Sequence, residues 1–272
     1  MKYLKLFILG ALALLAVESC KTEFDLLMES NDSPAMYSMA FDLFNQGKYY
    51  KSAQMFEALS MLTAGTAKDD TVQYYWGLSN YRYKDYYTAQ SNFDKFLENY
   101  PLSPFAEDAR FLRLDCMYRS TYRYELDQKP TQTAMIAIGD FIKTYPDSPH
   151  LDGCLNMMKD LSERLDRKAF EAARLYYNME DYLAARVALR NVLKEDAENV
   201  YREDILYYTA MSSYKYAFLS VPEKQRERYL EFVDDYLNFI GEYSESSYRR
   251  EMDNLYHRAQ KALGKEVDVE EE

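Results

Sequence analysis

The stretch Gln73–Pro104, QYYWGLSNYRYKDYYTAQSNFDKFLENYPLSP, decides the fold. Gly77 and Ala89 are small, and an aromatic follows each of them one helical turn later, at Tyr81 and Phe93. Small residues at these places let two antiparallel helices approach to about 8–10 Å and bury the aromatics between them. Pro101 closes the unit, because proline has no N–H to donate and disfavours helical geometry in the residue before it. One such hairpin leaves an apolar face uncovered, so the spacing predicts further copies.

The copies are present. Tyr-Pro-x-Ser-Pro stands at Tyr100–Pro104 and at Tyr145–Pro149, and a degraded form, EYSESSY, fills Glu242–Tyr248. Ala89 lies twelve residues before Pro101, and Ala134 twelve before Pro146. The Ser three places after each Tyr is expected to N-cap the next helix. The pattern is that of tetratricopeptide (TPR) helix-turn-helix units. The expectation is an all-α chain, an α-α superhelix (solenoid) of about five TPR repeats.

Composition agrees. Eight Gly and seven Pro in 272 residues favour long helices over a β-sandwich. The net charge of −12 argues against nucleic acid, since phosphate binding needs a basic surface. Twenty-eight Tyr are expected mostly between helices, with some left to line a binding surface.

Residues 1–19 read as a targeting segment. Lys2 and Lys5 form a basic start, and Leu6–Val17 is apolar but too short to span a bilayer. Val17-Glu18-Ser19-Cys20 is similar to a bacterial lipobox, with Glu18 departing from the usual small or apolar residue. On that reading Cys20 carries the covalent N-terminal lipid; the other reading is an ordinary cleaved signal peptide. Lys21, rather than Asp, gives no hint of inner-membrane retention.

Residues 20–33 are expected as a lipidated tether, and 34–263 as the array, with N-terminal repeats over about 34–146 and C-terminal ones over about 147–263. Ser33 is the expected N-cap, with Pro34 at the first helical position. Repeat one places Ala40, Leu43 and Phe44 on one helix and Ser52 and Phe56 on the next, around Gly47-Lys48-Tyr49. The third unit carries an insertion at Arg119–Pro130, either an extended helix or a protruding loop, between helices Phe105–Tyr118 and Thr131–Thr144. A long helix to Asn178 is expected to bury Leu151, Leu155, Met158, Leu161, Leu165 and Ala172, and the next helix Ala185, Leu189 and Val192. Helices Arg202–Ser220 and Pro222–Tyr243 follow, the second burying Phe232, Val233, Tyr236 and Ile240, and Ser247–Leu263 caps the array. The acidic end, 264–272, is expected to be disordered.

Little in the chain points to chemistry. His150 and His257 lack ligand-spaced partners and are expected as surface or capping residues. Cys116 and Cys154 are expected as small buried thiols, with pairing left open. Neither a phosphate loop nor a nucleophile elbow is found, so no enzyme, metal or cofactor is expected beyond the lipid on Cys20.

The lipobox, the five TPR-like units, the paired Tyr-Pro-x-Ser-Pro blocks and the run Ser220–Gln225 before the last long helix together resemble the BamD (YfiO) family. These are lipoproteins of the outer-membrane β-barrel assembly machinery. The resemblance implies a non-enzymatic scaffold on the periplasmic face of the outer membrane. Its N-terminal repeats would recognise unfolded barrel precursors, and its C-terminal repeats would dock the periplasmic domains of a BamA-like insertase. Under that reading Tyr37, Phe41 and Phe44 of repeat one, with Tyr74, Leu78, Tyr81 and Arg82 of repeat two, are candidates for a groove along the first helices; the rival reading for each aromatic is a core residue between helices. Stacking and apolar burial would hold aromatic side chains of a precursor, and the Arg its terminal carboxylate. Another envelope TPR adaptor, for peptidoglycan or transport functions, and a glycan-uptake surface lipoprotein are the alternative readings.

Overall fold

Three hairpin turns show how local chemistry sets the helix ends. Gly47, Lys84 and Glu180 all take the left-handed region, with φ of 74°, 70° and 63°. Their N–H groups bond the carbonyls of Phe44, Tyr81 and Tyr177, and the next residues' N–H groups bond those of Leu43, Asn80 and Tyr176. This pair of bonds satisfies the last carbonyls of each first helix. Asp85 and Asp181 then accept from the N–H groups of Thr88 and Ala184, both at 3.1 Å, and start the second helix.

The computed structural model describes residues 22–264. The leader 1–19, Cys20 and the acidic end from 265 onward lie outside the described residues. Within them are α1 (Glu23–Ser30), α2 (Ser33–Asn45), α3 (Tyr49–Leu62), α4 (Asp69–Tyr83), α5 (Tyr86–Asn99) and α6 (Ala106–Arg119). Then come α7 (Lys129–Thr144), α8 (Leu151–Asn178), α9 (Tyr182–Glu195), α10 (Arg202–Phe218), α11 (Pro222–Glu242) and α12 (Arg249–Ala262). No strand occurs among the described residues, and the elements form helical hairpins of the TPR type, as expected. Two compact units are present. One comprises residues up to Thr121 with Ile136–Cys154, the other Tyr122–Met135 with residues from Leu155 onward.

Small residues do the packing that their spacing predicts. Ala40, Ala89, Ala134 and Ala185 are completely buried, as are Phe56, Phe93, Ile138 and Leu189. Burying a side chain of that size contributes about 1.5–3 kcal/mol. Between the first hairpins, buried polar side chains pair with one another: Ser52 Oγ donates to Ala40 O at 3.0 Å and lies 3.1 Å from Ser79 Oγ, and Asn80 bonds Asn92 at 2.8 Å.

Several expectations are corrected. The stretch read as a tether contains α1, started by a capping box between Thr22 and Asp25, and its Phe24, Leu27 and Met28 pack on the first core cluster. The N-cap of α2 is Asp32, which accepts from Ala35 N at 3.1 Å, so Ser33 is already helical. Ser103 and Ser148 cap no helix. Each accepts from the N–H two residues on, at Phe105 and His150, and donates to a carboxylate of the preceding repeat, Asp70 and Glu107. A serine followed by a ring at the second position is thus a turn between repeats rather than a helix start.

The insertion is a loop, not an extended helix. It is strapped to α8 by Lys168 Nζ, which donates to Leu126 O at 2.6 Å and to Tyr124 O at 3.1 Å, while the Arg167 guanidinium lies 4.3 Å from the Tyr124 ring. Helix α7 begins two residues before the expected start, because Pro130 fits its first turn. In α8 the buried stripe is Cys154, Met157, Leu161, Phe170 and Ala173, leaving Leu155 at 48% exposure and Ala172 exposed. In α11 it is Tyr229, Phe232, Tyr236 and Phe239, with Val233 and Ile240 partly buried beside it. Cys116 and Cys154 are free, buried thiols, and burial pushes them up to about 12 and about 11. His150 stacks on Phe111 with centroids 4.2 Å apart and bonds Asp108 at 3.0 Å. It is the repeat-junction ring of its turn.

Candidate functional site

Residues 34 apart in sequence occupy equivalent places in successive repeats, and this offset assembles the site. Phe41 of α2 and Tyr75 of α4 are such a pair, and their ring centroids are 4.6 Å apart. Phe44 and Leu78 are another, and Phe44 also reaches Tyr75 at 5.4 Å. Tyr37 joins at 4.9 Å from Phe41, with Lys68 Nζ lying 4.4 Å from its ring centroid. Tyr75 continues the series to Tyr74 at 5.4 Å and Phe105 at 6.2 Å. All of these but Tyr74 are partly buried, so the rings form one aromatic face with accessible area.

The structure divides the seven residues expected in the groove. Tyr37, Phe41 and Phe44 stay together on this face, while Leu78, partly buried, packs with Tyr75 against the cluster of Phe93 and Phe96. Tyr74 is a correction: it is 5% exposed, stacks on Phe105 at 4.5 Å and donates its hydroxyl to Asp108. Tyr81 likewise turns toward the next repeat and donates to Asp115 at 2.6 Å. Arg82 is exposed at the end of α4, where it lines a cavity with Tyr49, Tyr83 and Lys84, and Tyr49 lies 5.4 Å from Phe44. Tyr75, the centre of the face, was missed. Counting 34 from Phe41 would have found it.

Tyrosine hydroxyls tie repeat to repeat in both units. Tyr207 donates to Glu251 at 2.9 Å and Tyr248 to Asp204 at 2.7 Å, and these two rings stack at 3.9 Å. Burial, then the bonded carboxylate, pushes Tyr81 up to about 12 and raises Tyr74 and Tyr207 further. For Tyr248 the bond to Asp204 leads and burial adds, again to about 12. A phenol whose folded value is raised keeps its full stabilising contribution below the unfolded value near 10. That contribution is lost as pH rises through about 12. Stability to urea is therefore expected to fall between about pH 10 and 12, and Tyr81→Phe to make that fall shallower. An equally steep fall in the variant would show that Tyr81 does not contribute.

In unit 2 the polar centre is ionic. Arg186, 9% exposed at its side chain, donates to Asp235 at 3.2 Å and pairs with Glu231. Asp235 also accepts from Arg190 and Ser213, each at 2.5 Å. Among the described residues no group of three His, Cys, Asp or Glu is placed to hold a metal, and no helix is long and apolar enough to cross a membrane.

Comparison with known proteins gives the family. A Caulobacter vibrioides protein described as outer membrane protein assembly factor BamD is 20% identical over 182 residues, which is 67% of this chain. This chain spans 60% of that relative's length. Among solved structures, the TPR2AB domain of yeast Sti1 in complex with pHSP90 is similar with a TM-score of 0.41 and 15% identity, covering 84% of this chain and 98% of that one. The model of the family YfiO, outer membrane lipoprotein, matches residues 29–229, which include α2 to α10 and the whole aromatic face, and the chain accordingly belongs to this family.

Proposed function

We propose that the chain is a non-catalytic scaffold of an outer-membrane β-barrel assembly complex, anchored through an acylated Cys20 and facing the periplasm. The family match and the assembly-factor description of the Caulobacter relative support this reading. The N-terminal repeats receive unfolded barrel precursors, and the C-terminal repeats dock a BamA-like insertase through its periplasmic domains.

The observation that carries the precursor site is the contiguous face of Tyr37, Phe41, Phe44 and Tyr75. An extended segment with aromatic side chains at alternate positions would lay them against these rings, at about 0.5–1.5 kcal/mol for each well-placed aromatic pair beyond apolar burial. Stacking and burial on these rings, rather than a carboxylate clamp at Arg82, provide the grip. The variant Phe44→Leu with Tyr75→Leu keeps apolar volume and removes two rings. Its affinity for a peptide copying the aromatic end of a barrel precursor is expected to drop roughly tenfold in fluorescence anisotropy. Unchanged affinity with an intact far-ultraviolet circular dichroism spectrum would remove the face from the site. Complex membership is tested by mild-detergent purification from outer membranes: recovery of a large β-barrel protein with repeated periplasmic domains supports it, and a glycan porin or a peptidoglycan-bound partner overturns it.

A further inference from the structure

Four cations of this acidic chain meet around one cavity of about 650 Å³ in unit 1. Lys48 and Lys51 come from the turn between α2 and α3 and the start of α3, and Arg82 and Lys84 from the matching end of α4. Lys48 and Arg82 are again 34 apart, so successive repeats present their charges at the same end. Among the cavity's lining residues the only carboxylate is Glu23, leaving four positive charges against one negative in a chain of net −12. None of the four cations forms an ion pair among the described residues; the pairs of this unit lie at Arg113–Asp94, Arg119–Asp115 and His150–Asp108. The nearby Asp85 is turned back to cap α5 through Thr88.

Tyrosines surround these charges and stay open to solvent. Tyr50 and Tyr83 line the cavity with rings 5.1 Å apart, and they are 54% and 52% exposed. Tyr87, three residues after Lys84, is 85% exposed. Lys51 lies over the Phe24 ring at 5.3 Å, and none of the four cations meets a carboxylate among the described residues. Exposed tyrosines among such lysines and arginines are the composition of a surface that sits at the headgroup level of a bilayer. Thr22 lines the same cavity, and Cys20 is two residues upstream, within about 7 Å of chain.

We propose that this end of unit 1 rests on the membrane and holds the phosphate of an anionic phospholipid headgroup in the cavity. The orientation rests on acylation of Cys20; the charge and the exposed tyrosines do not. A lipid chain and a basic patch together form the two signals that stable anchoring needs. The patch also fixes which end of the repeats faces the bilayer.

The test uses the processed full chain purified from membranes, and begins with its intact mass, which reads acylation of Cys20 independently. The chain is then mixed with vesicles of phosphatidylcholine alone or with an equal part of phosphatidylglycerol. Amide exchange at 47–51 and 82–84 is expected to slow by about tenfold on the anionic vesicles only, and to recover in roughly 1 M salt. Lys48→Gln with Lys51→Gln and Arg82→Gln changes exposed positions only, and is expected to abolish that protection while exchange in α10 and α11 stays unchanged. Equal exchange on both vesicles, or protection by inorganic phosphate or an acidic peptide without protection by vesicles, would overturn the proposal. That outcome is separate from an unacylated mass, which would overturn the anchor alone.

Discussion

Asp235→Ala is expected to lower the stability of unit 2 by about 3–5 kcal/mol. Asp235 is 6% exposed and accepts from three donors: Arg186, Arg190 and the Ser213 hydroxyl. Its removal leaves the buried Arg186 guanidinium with Glu231 as its remaining partner and strips the acceptor from Ser213. The large effect comes from uncompensated buried donors, since a salt bridge in such a place contributes little by itself. Arg190→Ala is the contrast. Arg190 is 49% exposed at its side chain, so its loss is expected to cost below about 1 kcal/mol. Urea unfolding followed by exchange in α10 and α11 separates the two, and equal midpoints for both variants would show that the network is not a stability centre.

Gly77→Val is expected to destabilise unit 1 by about 3 kcal/mol. A Cβ on Gly77 would come 2.9 Å from Phe93 Cε1, 3.0 Å from its Cδ1 and 3.3 Å from Asn92 Cβ. Phe93 is fully buried and has nowhere to move, and Asn92 is held by Asn80. A branched side chain must therefore push α4 and α5 apart along their closest line. Gly241→Ala, with nothing within 4 Å of the added atom, is expected to raise stability by about 0.5 kcal/mol through helix propensity alone. Trp76, beside Gly77, reports the first transition by its fluorescence. A neutral Gly77→Val would mean that the two helices do not depend on this contact.

These two glycines show what was legible in the chain. Gly77 was readable because its partner residues, Ala89 and Phe93, lie nearby in sequence, and a hairpin brings near neighbours together whatever surrounds it. The turn at Gly47 and the completely buried Ala40, Ala134 and Ala185 were readable for the same reason. The long helix α8 was harder. Its apolar residues cover more than one face, and the stripe that is buried runs through Met157 rather than Leu155 and Met158. Ser103 and Ser148 misled because a serine that bonds the N–H two residues on has the same sequence surroundings as one that caps a helix.

The sequence by itself determined the helical hairpins, their number in outline and most of their ends, because caps, prolines and left-handed turn residues act within a few residues of chain. Only the tertiary structure decided which of two adjacent aromatics, Tyr74 or Tyr75, stays on an accessible face. Neighbours on a helix point about 100° apart, so one turns into the contact with α5 and α6 and the other remains open. Which one does so depends on how the third repeat packs, and the packing of Phe105 on Tyr74 settles it. The gathering of Lys48, Lys51, Arg82 and Lys84 beside Thr22 has the same origin: stacking repeats brings Lys48 and Arg82, which the chain keeps 34 residues apart, to the same end, with Lys51 and Lys84 beside them.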